Sequence, residues 1–255
     1  MIQPGFSVVA VPDIPMVSAG DDLATILGDA LTAGGLTLVD GDVVCVAQKI
    51  VSKAEGRLVA LADVTPSERA IKLAAETEKD PRLVELILNE STEVLRQKPG
   101  VLIMRHRLGL VGAHAGIDQS NIEHGEDENA LLLPVDPDAS AATLKARLDQ
   151  QHGVSIAVII TDSTNRPWRM GTVGTAIGAA GFDVLADHRG GSDLYGRELK
   201  VTLINRADAL AGAATLVMGE TVERTPVVLV RGLPPERSTQ TATMINRPLE
   251  EDLFR

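Results

Sequence analysis

Apolar and polar positions along the chain follow patterns that predict an interleaved series of strands and helices. The run FSVVAVP at 6–12 predicts a first strand, and DVVCVAQKIVS at 42–52, rich in β-branched residues, predicts a buried one. Between them, Asp21 and Asp22 can cap a helix through LATILGDALTAG that Gly34 and Gly35 end. A polar loop, SKAEGR, follows the second strand. Thr65-Pro66-Ser67-Glu68 reads as a capping box with proline at the first helical position, opening a helix to about Lys79. Asp80-Pro81 opens another over RLVELILNESTEVLRQ, which Pro99-Gly100 stops.

VLIMRHR at 101–107 and LVGAHAG at 110–116 predict a hairpin around Leu108-Gly109. Residues 117–138 are acidic, proline-bearing and without clear period, as functional or mobile loops often are. A helix is expected from Ser140 to Gln151, then the strand VSIAVIIT at 154–161. The small-residue run at 171–187 fits no single element, and 192–207 divides between turn and strand. An alanine-rich helix at 207–219 and a strand at 225–232 precede a polar tail. This order is not a regular βα alternation, so the expected fold class is α+β, with mixed sheets and flanking helices.

Aromatic residues are only 2% of the 255, so valine, leucine, isoleucine and alanine must build the core. The formal net charge of −11 argues against nucleic acid or an anionic membrane as partner. Small anionic ligands are not excluded, because a metal ion or a few arginines invert the sign locally. The single cysteine, Cys45, lies in an apolar run and predicts a buried thiol, which suits a cytoplasmic protein. The N-terminus lacks the pattern of a signal peptide, and no stretch has the length of a membrane helix.

Two places carry chemistry of interest. HAGIDQSN at 114–121 and ITDSTNRPWR at 160–169 each set an aspartate beside small or amide side chains after an apolar run. Asp118, Asp162 and Glu220, with Ser163 and Asn121, form an oxygen donor set suited to Mg²⁺ or Mn²⁺ rather than zinc. Equally, Asp118 and Asp162 serve as turn or cap residues, the usual work of aspartate there. Neither GxxxxGK[ST] nor a clean GxGxxG occurs; Gly171, Gly174, Gly178 and Gly181 fit close packing as well as a phosphate loop. Lys49 and Lys53, at the end of the second strand, are phosphate ligands or solvated lysines. Arg166 and Arg169 form either a catalytic clamp on a phosphate or carboxylate, or surface charges around a buried Trp168. The five histidines show no zinc spacing, and His114 is the nearest to a candidate base.

Taken together and in order, LVDGDVVCVAQKIVSKAEGR, HAGIDQSN, IITDSTNRPWRMG, DLYGRELKVT, ADALAGAATLVMGE and the closing EDLFR resemble the coenzyme F-420:L-glutamate ligase family, the gamma-glutamyl ligases of the deazaflavin coenzyme. The resemblance covers nearly the whole chain. It implies GTP-dependent joining of L-glutamate to the lactyl carboxylate of coenzyme F-420-0, through an acyl phosphate, with release of GDP and phosphate. Further glutamates are then added by γ-linkages. It also implies two divalent ions (Mg²⁺ or Mn²⁺), potassium as an aid, an unusual non-P-loop nucleotide-binding fold, and an intertwined homodimer. The expected unit is one ligase domain over 1–255, divisible into two subdomains, without a C-terminal flavin reductase domain.

Carried over residue by residue, Asp118 and Asp162 would hold metal, with Ser163 and Glu220 completing a second ion. Asn121, Gln48, Lys49 and Lys53 would contact the nucleotide, as would Ile14, Pro15, Met16 and Val17. The 219–226 loop, with Gly219 and Thr221, would close over the same site. Two other functions compete: a phosphotransferase that stops at the phosphorylated product, and a nucleotide-binding module without catalysis.

Overall fold

A computed structural model of the protein describes residues 5–253; Met1–Pro4 and the Phe254 and Arg255 of the EDLFR block lie outside it. In chain order the strands and α-helices are β1 Ser7–Ala10, α1 Leu23–Ala33, β2 Val43–Ala47, α2 Gln48–Ala54, β3 Leu58–Ala60, α3 Glu68–Thr77, α4 Pro81–Asn89, β4 Ser91–Lys98, β5 Val101–His106, β6 Val111–Ala113, β7 Asn129–Leu131, α5 Pro137–His152, β8 Ala157–Asn165, β9 Thr172–Ala180, β10 Leu185–Asp187, β11 Leu203–Asn205, α6 Arg206–Met218 and β12 Val227–Arg231. The class is mixed α+β with several sheets, as expected.

The main sheet has five strands in the order β1-β12-β2-β8-β9, and its only parallel pair is β2 with β8. Both faces are covered. Val44, Val46, Val158, Ile160 and Leu229 face a core that includes Leu27 of α1 and Leu144 of α5. The alternate residues Val43, Cys45, Ile159 and Val230 face a second core that includes Leu210 and Ala214 of α6. A strand buried on both faces needs no polar alternation, which is why these runs read as continuously apolar. Cys45 is fully buried, and that burial pushes its thiol up to about 12. A third core gathers α3, α4 and β5 around Leu73, Val84, Ile87, Leu102 and Met104.

Four local expectations give way to tertiary context. The predicted strand at 42–52 ends at Ala47, and Gln48 to Ala54 is helix α2. Lys49 and Lys53 therefore lie one helical turn apart rather than at a strand end. The β-branched Ile50 and Val51 suggested strand, but their burial in the first core holds the helix. The helix expected through 97 stops at Asn89, and the next residues form β4, paired with β5. The cap of α3 is Ser67, whose side chain accepts from Ala70 N–H, so Pro66 precedes the cap instead of filling the first turn. Trp168 is exposed, not buried.

Most of the small-residue run is strand β9, and its Gly174 and Gly178 are packing devices. A Cβ on Gly174 would lie 2.4 Å from the Ala211 carbonyl oxygen in α6, and one on Gly178 would lie 2.3 Å from the Pro137 oxygen at the start of α5. Helices thus approach β9 at backbone distance. Gly178→Ala is expected to lower stability by about 2 kcal/mol, since backbone on both sides must shift. Gly112→Ala, where a Cβ meets nothing within 4 Å, should be near neutral in the same thermal melt. Equal melting temperatures for the two variants would contradict this packing role.

No helix among the described residues is long and apolar enough to cross a membrane.

Candidate active site

β2 and β8 run side by side until Ala47, which pairs with Thr161; β2 then turns into α2 while β8 continues. Asp162 is the first β8 residue past that fork. A register shift between Ile160 and Thr161 in the pairing with β9 marks a bulge at this point, a device that re-aims side chains. Ligand crevices in sheets with parallel strands form where neighbouring strands part at their carboxyl ends. Here a cleft of about 1010 Å³ opens at the fork.

Segments distant along the chain build its walls. The stretch 14–19 enters before α1 and is tied to α2 by Gly20 N–H donating to the Ala54 carbonyl at 2.9 Å. The loop at 118–123 is held by two backbone bonds between Asp118 and Leu131 of β7 (3.0 and 2.8 Å). The loop after α6 is tied to the fork by Ala47 N–H donating to Pro226 O at 2.8 Å. Gly219 adopts φ 69 and ψ 178, and a Cβ there would lie 2.2 Å from the carboxyl carbon of Glu223. Glu223 in turn accepts from the amide and hydroxyl of Thr221, folding the loop over itself.

The cleft is lined by Ile14, Pro15, Met16, Val17, Gln48, Lys49, Lys53, Asn121, Gly219 and Thr221, and by Asp118, Asp162, Ser163 and Glu220. Ile14 and Val17 are buried anchors in the first core, whereas Met16 is 69% exposed. Arg166 and Arg169 are not among the lining residues; Arg166 donates to the Gly171 carbonyl at 3.0 Å. His114 also lies outside the cleft, in a 3₁₀ turn with its ring near Lys79 and Gly100. Ser120 and Glu223 line the cleft and were not singled out by sequence. Ser120 had a readable signal, because Asp-x-Ser closes an Asx turn: its N–H donates to Asp118 Oδ1 at 2.7 Å.

The electrostatics are those of a crowded acidic site. Burial raises Asp162 from 3.8 to about 7, and the charges of Asp118 and Glu220 push the same way; the Ser163 N–H and Lys49 oppose them. Burial also works against ionised Asp118, but Lys49 and Ser120 outweigh it and hold the carboxyl below its ordinary value. Lys49 Nζ stands 2.6 Å from Asp118 Oδ2 and donates to the carbonyl and hydroxyl of Ser120 at 3.1 and 3.0 Å. Lys53 donates to Asn121 O at 3.1 Å, and burial and then Lys49 depress its pKa. Glu220 accepts from the Thr172 hydroxyl at 2.8 Å.

Among the described residues no three acidic, histidine or cysteine side chains are gathered into a ready cation cage. The donor chemistry nonetheless fits a hard divalent ion. Every candidate ligand is an oxygen, and a positive charge would offset the burial, and after it the repulsion from Asp118 and Glu220, that raise Asp162.

A family description, F420-0:Gamma-glutamyl ligase, matches residues 13–232. Over 253 residues the chain is 45% identical to the coenzyme F420:L-glutamate ligase of Methanothermobacter thermautotrophicus, covering 98% of this chain and 99% of that protein. It is similar to the enzymes of the same name from Methanopyrus kandleri (46% identical; 98% and 99% covered) and Archaeoglobus fulgidus (42%; 97% and 96%).

Proposed function

The chain belongs to the F420-0:gamma-glutamyl ligase family, and from that premise we propose that its cleft couples GTP cleavage to amide formation between L-glutamate and the lactyl carboxylate of the deazaflavin precursor. Further glutamates then join by γ-linkages. The observation that carries the reading is the convergence of the anticipated nucleotide and acidic residues, from separate parts of the chain, on one cleft at the β2/β8 fork. Its volume suits a nucleotide together with part of a second ligand.

The chemistry follows from the reactants. A carboxylate does not condense with an amine in water, because its oxygen is a poor leaving group. Attack of that oxygen on the γ-phosphorus of GTP expels GDP and leaves an acyl phosphate. The glutamate amine then attacks the acyl carbon, loses a proton and displaces phosphate. Asp118, Asp162, Ser163 and Glu220 would hold two Mg²⁺ or Mn²⁺ ions, which would supply charge neutralisation between two anionic reactants. Lys49 and Lys53, on one face of α2, present ammonium groups to the phosphates. Asp162 sits on a strand rather than a mobile loop, so the site is held in register. Potassium is assigned the part of an accessory ion.

Incubation with GTP, Mn²⁺, glutamate and precursor, read by mass spectrometry, tests the proposal. The product must gain one or more glutamyl units, with GDP release dependent on glutamate. GDP release without glutamate, leaving a phosphorylated product, would point instead to a phosphotransferase.

Arg166 directly follows the end of β8, four positions after Asp162. Arg166→Ala is expected to raise the precursor KM about tenfold and leave the GTP KM unchanged, the loss of one charge-assisted contact. An unchanged precursor KM removes Arg166 from the site. A homodimer is proposed for the face bearing the exposed Leu194, Tyr195 and Val201 near β10 and β11.

A further inference from the structure

Lys49 is fully committed. Its ammonium has three protons and three acceptors: Asp118 Oδ2 at 2.6 Å, Ser120 O at 3.1 Å and Ser120 Oγ at 3.0 Å. Asp118 is committed too, since its other oxygen accepts from Ser120 N–H at 2.7 Å. The pair is partly buried, with side chains 27% and 31% exposed. The same lysine charge is felt at Asp162, alongside Asp118 and Glu220. One ammonium thus pairs with Asp118 and its charge also reaches Asp162.

We infer that Lys49 is a placeholder: in the ligand-free protein its ammonium takes the place of a divalent cation at Asp118, and the cation and Lys49 compete for that carboxylate. The inference rests on the cation reading of the site given above. An ammonium and a doubly charged ion repel strongly at a few ångströms. Entry of the ion therefore releases Lys49, whose ammonium is then available to an anionic phosphate. Lys49 is in this sense a positioning residue. It keeps Asp118 neutralised until the cation arrives. Because coupling of two ligands is reciprocal, the nucleotide must tighten ion binding as much as the ion tightens nucleotide binding.

The test is Mn²⁺ titration without nucleotide, followed by the paramagnetic resonance signal of the free aquated ion. Lys49→Met, which keeps the length of the side chain without its charge, should bind Mn²⁺ about tenfold more tightly than the native protein, the equivalent of one charge-assisted bond no longer broken. Lys49→Gln should do the same, and Lys49→Arg should remain close to native. In an Asp118→Asn background, Lys49→Met should no longer change the Mn²⁺ affinity. A non-hydrolysable GTP analogue should tighten Mn²⁺ binding in the native protein and much less in Lys49→Met. Equal or weaker Mn²⁺ binding by folded Lys49→Met and Lys49→Gln would overturn the placeholder alone. Failure of the native protein to take up Mn²⁺ even with the nucleotide would overturn the cation reading and this inference with it.

Discussion

Asp162→Asn is expected to slow glutamyl transfer by about 10²- to 10³-fold while leaving the protein folded and more resistant to heat. The two effects share a cause. Burial together with the charges of Asp118 and Glu220 raises Asp162 from 3.8 to about 7, so ionised Asp162 is held against its own preference. The folded chain binds that proton more tightly than the unfolded chain. Stability therefore falls as pH rises from 3.8 toward 7, and the whole penalty is present above 7. Asparagine cannot ionise and escapes it. In metal-free buffer at neutral pH the variant should gain on the order of 1 kcal/mol, after allowance for solvent screening, or about 2–4 °C in Tm. At about pH 2 the gain should be gone, because the native carboxyl is then protonated in both states. Loss of activity with a gain in stability marks a residue kept for function. An active variant, or one that unfolds more readily at neutral pH, would refute this role.

Glu90→Ala is expected to have the largest effect on stability. Glu90 closes α4, and its Oε2 accepts from Arg57 at 2.9 Å and from Arg107 at 3.1 and 3.3 Å. His106 Nε2 stands 3.4 Å from the same oxygen; its Nδ1 accepts from Leu108 N–H, which leaves the ring proton on the side facing Glu90. Burial would raise the Glu90 carboxyl, but His106, Arg57 and Arg107 outweigh it and hold it at about 2. Arg57 also donates to Leu133 O at 2.9 Å and Arg107 to Val135 O at 3.2 Å. One carboxylate thus joins α4, the exit of α2, the β5–β6 hairpin and the approach to α5. Its removal leaves guanidinium groups without their counter-charge and should cost about 3 kcal/mol, or about 6–12 °C in Tm. This acid is depressed, so its contribution is complete above about pH 4.5 and is lost as pH falls through about 2. The gap between native and variant should accordingly close in acid. A gap that persists undiminished at about pH 2 would assign the effect to packing instead.

How much of this was legible beforehand depended on how local each signal was. Asp80-Pro81 starts α4 because both cap and proline act within a single turn, and the sequence states that directly. Gln48 to Ala54 misleads because β-branched Ile50 and Val51 favour strand, and only their packing beneath the sheet makes the segment helical. Residues 91–98 form a strand because β5 is there to pair with them. Gly174 and Gly178 left phosphate loop and close packing open, and only the approach of α6 and α5 decides between them. The same distinction runs through the site. Asp118, Asp162 and Glu220 are separated along the chain, and no spacing rule brings them together. Their meeting depends on where β2 ends beside β8 and on a bulge opposite β9. Residue type and position made them candidates and the family resemblance gave them roles; spacing alone could not bring them together. Arg166 and Arg169 form a local motif suggestive of a clamp; they are not among the residues lining the cleft, and the Arg166→Ala kinetics decide their part.

The central claim is that nucleotide cleavage in this cleft activates a carboxylate for amide formation. Supplying the precursor with its lactyl carboxylate carrying a heavy oxygen isotope tests it most directly. Transfer of that oxygen to the γ-phosphorus must leave one labelled oxygen in the phosphate released as the first glutamate is joined, and none in GDP. Wholly unlabelled phosphate accompanying a product with a single glutamate would contradict the account.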